Sequence, residues 1–161
     1  MVDIGYCKVI MGPMFSGKTT ELIKEYHRHK ACNFNCCFIN HSLDEQRFGE
    51  GTDTTAHNTL SVTTDFSVTC LNEILKTDCC KNYDVFFINE GQFFEDLYKF
   101  VDTITNIFKK KIYVCGLDGN FKREKFGYLL DILPLCDDIV KIKGLCSNCK
   151  FNEGIFTYRI S

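Results

Sequence analysis

Gly12-Pro13-Met14-Phe15-Ser16-Gly17-Lys18-Thr19 fits G-x-x-x-x-G-K-[ST], a glycine-rich turn that holds the phosphates of a nucleoside triphosphate. The glycines let successive backbone N–H groups turn toward one anion, an approach that a Cβ would obstruct. Lys18 then places a point charge on the β- and γ-phosphates, and the Thr19 hydroxyl suits the shell of a Mg2+ ion. A second candidate is Ile88-Asn89-Glu90, at the end of an apolar run. An acidic residue at such a strand tip ordinarily meets the water shell of the metal; here Asn89 stands in that place and Glu90 follows it. Glu90 is placed to take a proton from an attacking hydroxyl, a task that contributes about 10²–10⁴-fold when the base is held in position. Taken alone, the two residues read as a solvated strand end, and the phosphate loop upstream is what favours chemistry. The third candidate is Cys146-Ser147-Asn148-Cys149, whose C-x₂-C spacing lets two thiolates share one Zn2+. A structural zinc needs four ligands, so on this pair alone zinc ligands and free thiols both stay open.

The elements that position these residues follow from apolar patterning. Residues 7–11 read as a buried strand leading into the loop, and residues 18–30 as a helix whose N-terminal dipole faces the phosphates. Residues 36–40 form a second apolar strand, and residues 41–59, polar and rich in threonine, read as one long loop. A short strand is expected at 60–62. Thr69 is expected to cap a helix through Asp78, with Leu71, Ile74 and Leu75 on one face. Residues 83–88 make a nearly continuous apolar strand of the kind covered on both faces. Leu97, Phe100, Val101, Ile104, Ile107 and Phe108 then repeat at helical spacing up to the lysines at 109–111, whose charge suits a helix end. Residues 112–116 and 138–142 are further strands, with a short helix at 128–133 stopped by Pro134. Strands alternating with helices predict an α/β fold with a largely parallel sheet.

Bulk composition narrows the partners. At 161 residues the chain is one domain's length, and folding buries about 70% of its surface. With 45% hydrophobic and 25% charged residues it has an ordinary globular balance. A net charge of −2 gives no electrostatic case for nucleic acid or an anionic membrane. Eleven cysteines without a visible secretory signal, two pairs of them adjacent, do not resemble a disulfide framework. Most are expected to be small buried hydrophobes, in a cytoplasmic protein.

The blocks at 12–23, Glu90-Gly91-Gln92-Phe93-Phe94, and Gly116-Leu117-Asp118-Gly119-Asn120-Phe121 with Arg123, Phe126 and Gly127 resemble the type II thymidine kinases. That cellular and poxviral family has a RecA-like P-loop domain, and the blocks match its order and spacing from about residue 5 to residue 160. The resemblance implies transfer of the ATP γ-phosphoryl group to the 5′-hydroxyl of thymidine, with Mg2+ and with Glu90 as general base. Gly12, Pro13, Met14, Phe15, Ser16, Gly17, Lys18 and Thr19 would form the ATP site. Phe121 matches the aromatic that contacts the nucleoside, with Met14, Leu117 and Phe93 around it. Without the family, Phe121 and Phe93 read as core residues. Arg47 resembles an element that the family keeps near the phosphates, and is otherwise a surface arginine.

The same resemblance implies a homotetramer. It also implies a division into a kinase domain at 1–143 and a partial zinc-knuckle segment at 144–161 that begins a thymine-covering loop. Phe156-Thr157-Tyr158-Arg159 looks like the entry to that loop. Because the sequence reaches Ser161 about where the loop begins, thymine recognition and the zinc site are expected to be weakened. Two substitutions depart from the family pattern. Lys125 replaces a usual proline, and Asn89 lacks the expected charge. At about 5 Å and an effective dielectric of about 20, a carboxylate and Mg2+ attract by roughly 6–7 kcal/mol before desolvation. Weaker use of Mg-ATP is therefore expected. Two other readings are a RecA-like ATPase in which Glu90 activates water, and a catalytically weakened nucleotide-binding homologue.

Overall fold

The computed structural model describes residues 4–14, 16–43, 53–55, 61–145 and 153–155. Strand β1 (Tyr6–Met11) runs directly into the phosphate loop, and helix α1 (Lys18–Ala31) leaves it. β2 (Cys36–His41) follows, then β3 (Asp53–Thr55), β4 (Ser61–Thr63) and β5 (Phe66–Val68). Two short helices, α2 (Asn72–Leu75) and α3 (Cys79–Asn82), precede β6 (Val85–Ile88). A 3-10 turn at Gly91–Phe93 leads to helix α4 (Leu97–Asp102), which continues as a π-helical turn over Thr103–Ile107. β7 (Lys111–Gly116), a 3-10 segment (Leu129–Leu135) and β8 (Asp138–Lys141) come next. The short strands β9 (Gly144–Leu145) and β10 (Glu153–Gly154) pair antiparallel.

The main sheet has six strands in the order β5-β2-β6-β7-β1-β8, and every pairing in it is parallel. Alternate residues of its inner strands supply two cores. Ile10, Phe38, Val85, Phe87, Tyr113 and Cys115 face α1, where Leu22, Ile23 and Tyr26 cover them. Val9, Ile39, Phe86, Ile88, Ile112 and Val114 face α4 and the 3-10 segment, meeting Phe94, Leu97, Phe100, Val101, Ile104, Leu129 and Ile132. Covered on both sides, β6 has no polar residue, which is why it reads as an unbroken apolar run. Most cysteines fill these cores as expected, and every one among the described residues is a free thiol.

Four local expectations need correction. The loop expected at 41–59 contains β3, which pairs antiparallel with β4, and its first residue His41 belongs to β2. The helix expected over 69–78 is only the single turn α2 at Asn72–Leu75, with α3 following beyond its expected end, and Thr69 does not cap it. The Asp96 carboxylate accepts from Leu71 N (3.2 Å) and Asn72 N (2.8 Å), and Thr77 Oγ1 closes the first helix on Ile74 O at 2.6 Å. A cap delivered from a distant turn leaves no local signature. The helical run ending at Phe108 loses its register. Thr103 and Thr105 hydroxyls donate to the carbonyls of Lys99 and Val101, both at 2.7 Å, and the backbone widens into the π turn. Ile107 and Phe108 consequently stand 67% and 44% exposed instead of facing the core. Lastly, Pro134 lies inside the 3-10 segment rather than ending an α-helix at 133. β5, a parallel edge strand beside β2, was absent from the sequence expectation altogether.

Candidate active site

The carboxyl ends of β1, β2, β6 and β7 carry the candidate residues, the end of a parallel sheet where ligands bind in open α/β folds. Gly17 caps α1 in the left-handed region at φ 87°, a conformation that costs glycine nothing. It brings no side chain to the first-turn amides of the helix, so these donors remain directed at the cradle. Ser16 Oγ donates to Pro13 O at 2.7 Å, and Lys18 Nζ reaches back across the turn to the same carbonyl at 3.3 Å. Lys18 is only 7% exposed, so its ammonium lies in the loop and not in bulk solvent. Phe15 lies outside the described residues.

The structure brings Thr19 and Asn89 together, 70 residues apart in the chain, with Thr19 Oγ1 donating to Asn89 Oδ1 at 3.3 Å. Asn89 is 3% exposed and its amide is used at both ends. Oδ1 also accepts from the Cys115 thiol at 3.1 Å, while Nδ2 donates to Asn40 Oδ1 at 3.1 Å. Asn40 in turn donates to Thr64 Oγ1 at 3.0 Å. Burial first, and then the negative charge of Glu90, push the Cys115 thiol up to about 12, which keeps it protonated and a donor at neutral pH. Hydroxyl and amide oxygens converging beside the anion cradle are hard donors of the type that Mg2+ selects, directly or through its waters. The donor set therefore fits the ion.

Glu90 follows at the tip of β6, itself left-handed at φ 55°, and it accepts a hydrogen bond from Gln92 Nε2 at 2.5 Å. Phe93 is half-buried between His41 (ring centroids 5.5 Å) and Phe126 (6.0 Å). Leu117 is half-buried at the end of β7, and its N–H is bound by Gln92 Oε1 at 3.1 Å. Met14 and Phe121 are 45% and 40% exposed, with Phe121 on a turn tied by Asn120 Oδ1 to the amides of Lys122 and Glu124. Lys125, which replaces the usual proline, forms an ion pair with Asp131.

Arg47, Cys146, Cys149 and the stretch 156–159 lie outside the described residues. Among the described residues no group of three or more His, Cys, Asp or Glu side chains is gathered for a metal. Nor is any helix among them long and apolar enough to cross a membrane.

Sequence reasoning did not assign a role to Asn40, His41 or Gln92. His41 was placed in a loop, although it ends β2 with its Nδ1 accepting from Leu43 N at 3.1 Å. Burial lowers its pKa below the ordinary histidine value, consistent with that accepting nitrogen. A usable signal for Gln92 was present: one long amide between a glycine and two phenylalanines, directly after a strand.

A strand, an anion-cradling turn and a helix on a parallel sheet define an α/β nucleotide-binding protein of the P-loop class. The thymidine kinase family model matches residues 5–161, and the chain belongs to that family. Among relatives, the thymidine kinase of Yaba monkey tumor virus is 42% identical over 157 residues, covering 98% of this chain and 82% of the relative. That of sheeppox virus is 34% identical over 160 residues (99% and 86%), and that of vaccinia virus strain Western Reserve 35% over 156 residues (97% and 84%).

Proposed function

We propose that this chain transfers the γ-phosphoryl group of ATP to the 5′-hydroxyl of thymidine, the first step of thymidine salvage. The observation that carries the reading is the family match over nearly the whole chain, in which Glu90 stands one residue from an amide hydrogen-bonded to the phosphate loop. In this reading the backbone at 12–19 and Lys18 hold the triphosphate. Thr19 and Asn89 would hold Mg2+, which when bound neutralises charge on the β- and γ-phosphates. Glu90 accepts the proton of the sugar hydroxyl as the phosphorus–oxygen bond forms. Phe93, Leu117, Met14 and Phe121 supply the apolar and aromatic walls that a planar base requires. Arg47 is assigned to the phosphates and the subunits to a homotetramer on family resemblance alone, and Cys146 and Cys149 to half of a zinc site on their C-x₂-C spacing together with that resemblance.

The test is a coupled assay with ATP, Mg2+ and each of the four deoxynucleosides, wild type beside Glu90→Gln. Thymidine is expected to be the best acceptor, and Glu90→Gln to lose about 10²–10⁴ in turnover. Nucleoside-independent ADP release of equal rate, unaffected by Glu90→Gln, would refute the assignment.

A further inference from the structure

Gln92 joins two parts of the site that a phosphoryl transfer must keep in register. It is 1% exposed, on the 3-10 turn immediately after Glu90. Its Nε2 donates to Glu90 Oε2 at 2.5 Å, and its Oε1 accepts from Leu117 N at 3.1 Å. Its own carbonyl accepts from Tyr128 N at 3.1 Å, so both ends of the segment from 117 to 128 close on this one residue. The neighbouring glycines leave room for it. A Cβ at Gly116 would lie 2.2 Å from Gln92 Oε1, and one at Gly127, which has φ +65°, would lie 2.1 Å from Gln92 O. Glu90 meanwhile occupies the left-handed region, which a residue with a Cβ holds only when its surroundings over-determine it. A primary amide carries an uncharged donor and an uncharged acceptor on adjacent atoms, which is what this bridge uses.

We propose that Gln92 is a positioning residue for the reaction. Its amide fixes the Glu90 carboxylate relative to the segment that carries Leu117 and Phe121, so that base and nucleoside are presented at one spacing. The proposal rests on the reading of Glu90 as the general base. Misplacing a reacting group by about 1 Å costs on the order of 10²-fold, so a base without its tether keeps its charge and loses its aim.

The experiment is a double-mutant cycle on Gln92→Ala and Gly116→Ala, with kcat, both KM values and ATP affinity by calorimetry. Gln92→Ala is expected to lower kcat about tenfold to a hundredfold, with ATP affinity and the KM for ATP changed by less than about twofold. Gly116→Ala pushes the amide off its line and is expected to lower kcat comparably. In the Gln92→Ala background the added methyl no longer meets a side-chain amide and keeps only the milder approach to Gly91 N at 3.2 Å, so Gly116→Ala is expected to cost less than about threefold more. That non-additivity is the signature of action through Gln92. Additive effects, or ATP affinity falling in step with kcat, would overturn the proposal, as would a Gln92→Ala protein that melts earlier but turns over normally.

Should Gln92→Ala fail to fold, Gln92→Glu replaces it. The glutamate keeps the length and the acceptor for Leu117 N but, when ionised, has nothing to donate to Glu90. A folded Gln92→Glu protein with wild-type kcat sinks the idea, and one with low kcat and intact ATP binding sustains it. Full activity in Glu90→Gln would instead remove the base reading, whatever Gln92 does.

Discussion

In the proposed site the anion cradle is one continuous loop, whereas the nucleoside end would be assembled from segments that meet only after folding. The cradle takes its geometry from glycine positions and from the strand and helix at either side. By contrast Glu90, Gln92, Leu117, Phe126 and Tyr128 come from the ends of two strands and a later turn, joined through one side-chain amide and one carbonyl. A contiguous cradle tolerates change elsewhere in the fold. An assembled pocket depends on every segment arriving, so its defects should appear as lost turnover or nucleoside affinity and not as lost ATP.

Substitutions in the two halves test that division, beginning with the largest effect. Lys18→Ala removes the charged donor from the cradle and is expected to lower kcat/KM for ATP by about 10²–10³, with little change in thymidine affinity measured without ATP. A matching loss of thymidine affinity would show that the halves are one unit. Phe121→Ala is expected to raise the KM for thymidine by about two- to tenfold and leave that for ATP unchanged, since an aromatic contact of this kind is worth roughly 0.5–1.5 kcal/mol. Asn89→Asp restores a charge beside Thr19 and is expected to raise turnover several-fold while lowering the Mg2+ concentration for half-maximal rate; an equal or lower rate would take residue 89 out of the metal's surroundings.

The smallest effects are those of pH on stability. His41 has its pKa lowered by burial, so as pH falls through about 6.5 the unfolded chain takes up a proton that the fold resists, and stability drops. A His41→Gln variant is expected to lose that acid slope in urea midpoints. Burial raises Cys36 to about 11 and Cys115 to about 12 from an ordinary 9.0. Their contribution is therefore complete below pH 9.0 and is lost as pH climbs toward those values, because the unfolded chain gives up the protons first. Cys115→Ala is expected to flatten the upper part of that alkaline loss.

The same contrast explains what could be read from the chain. The cradle was legible because glycine, lysine and threonine at fixed offsets state a backbone geometry in one dimension. The parallel sheet was legible because β6 and β7 are apolar on both faces. Asn89 and Glu90 were placed by following an apolar strand to its tip. The contact of Asn89 with Asn40 and Cys115 was not, because hydrogen bonds between strands 49 and 26 residues apart leave no periodicity. The π turn escaped for a related reason: a threonine hydroxyl taking a carbonyl from its own helix does not alter the spacing of the apolar residues. The cap that Asp96 provides to α2 belongs to the same class.

The place of β1 in the sheet has a consequence for synthesis. Its neighbours are β7 and β8, the first of which begins roughly a hundred residues downstream. A ribosome adding about 5–20 residues each second therefore exposes the nascent phosphate loop for several seconds or more before either flanking strand exists. Long-range parallel pairing is slow to form, and over that interval Val9 and Ile10 are a sticky segment awaiting partners. The sheet on either side of the phosphate loop can close only once residues 111–141 have been made.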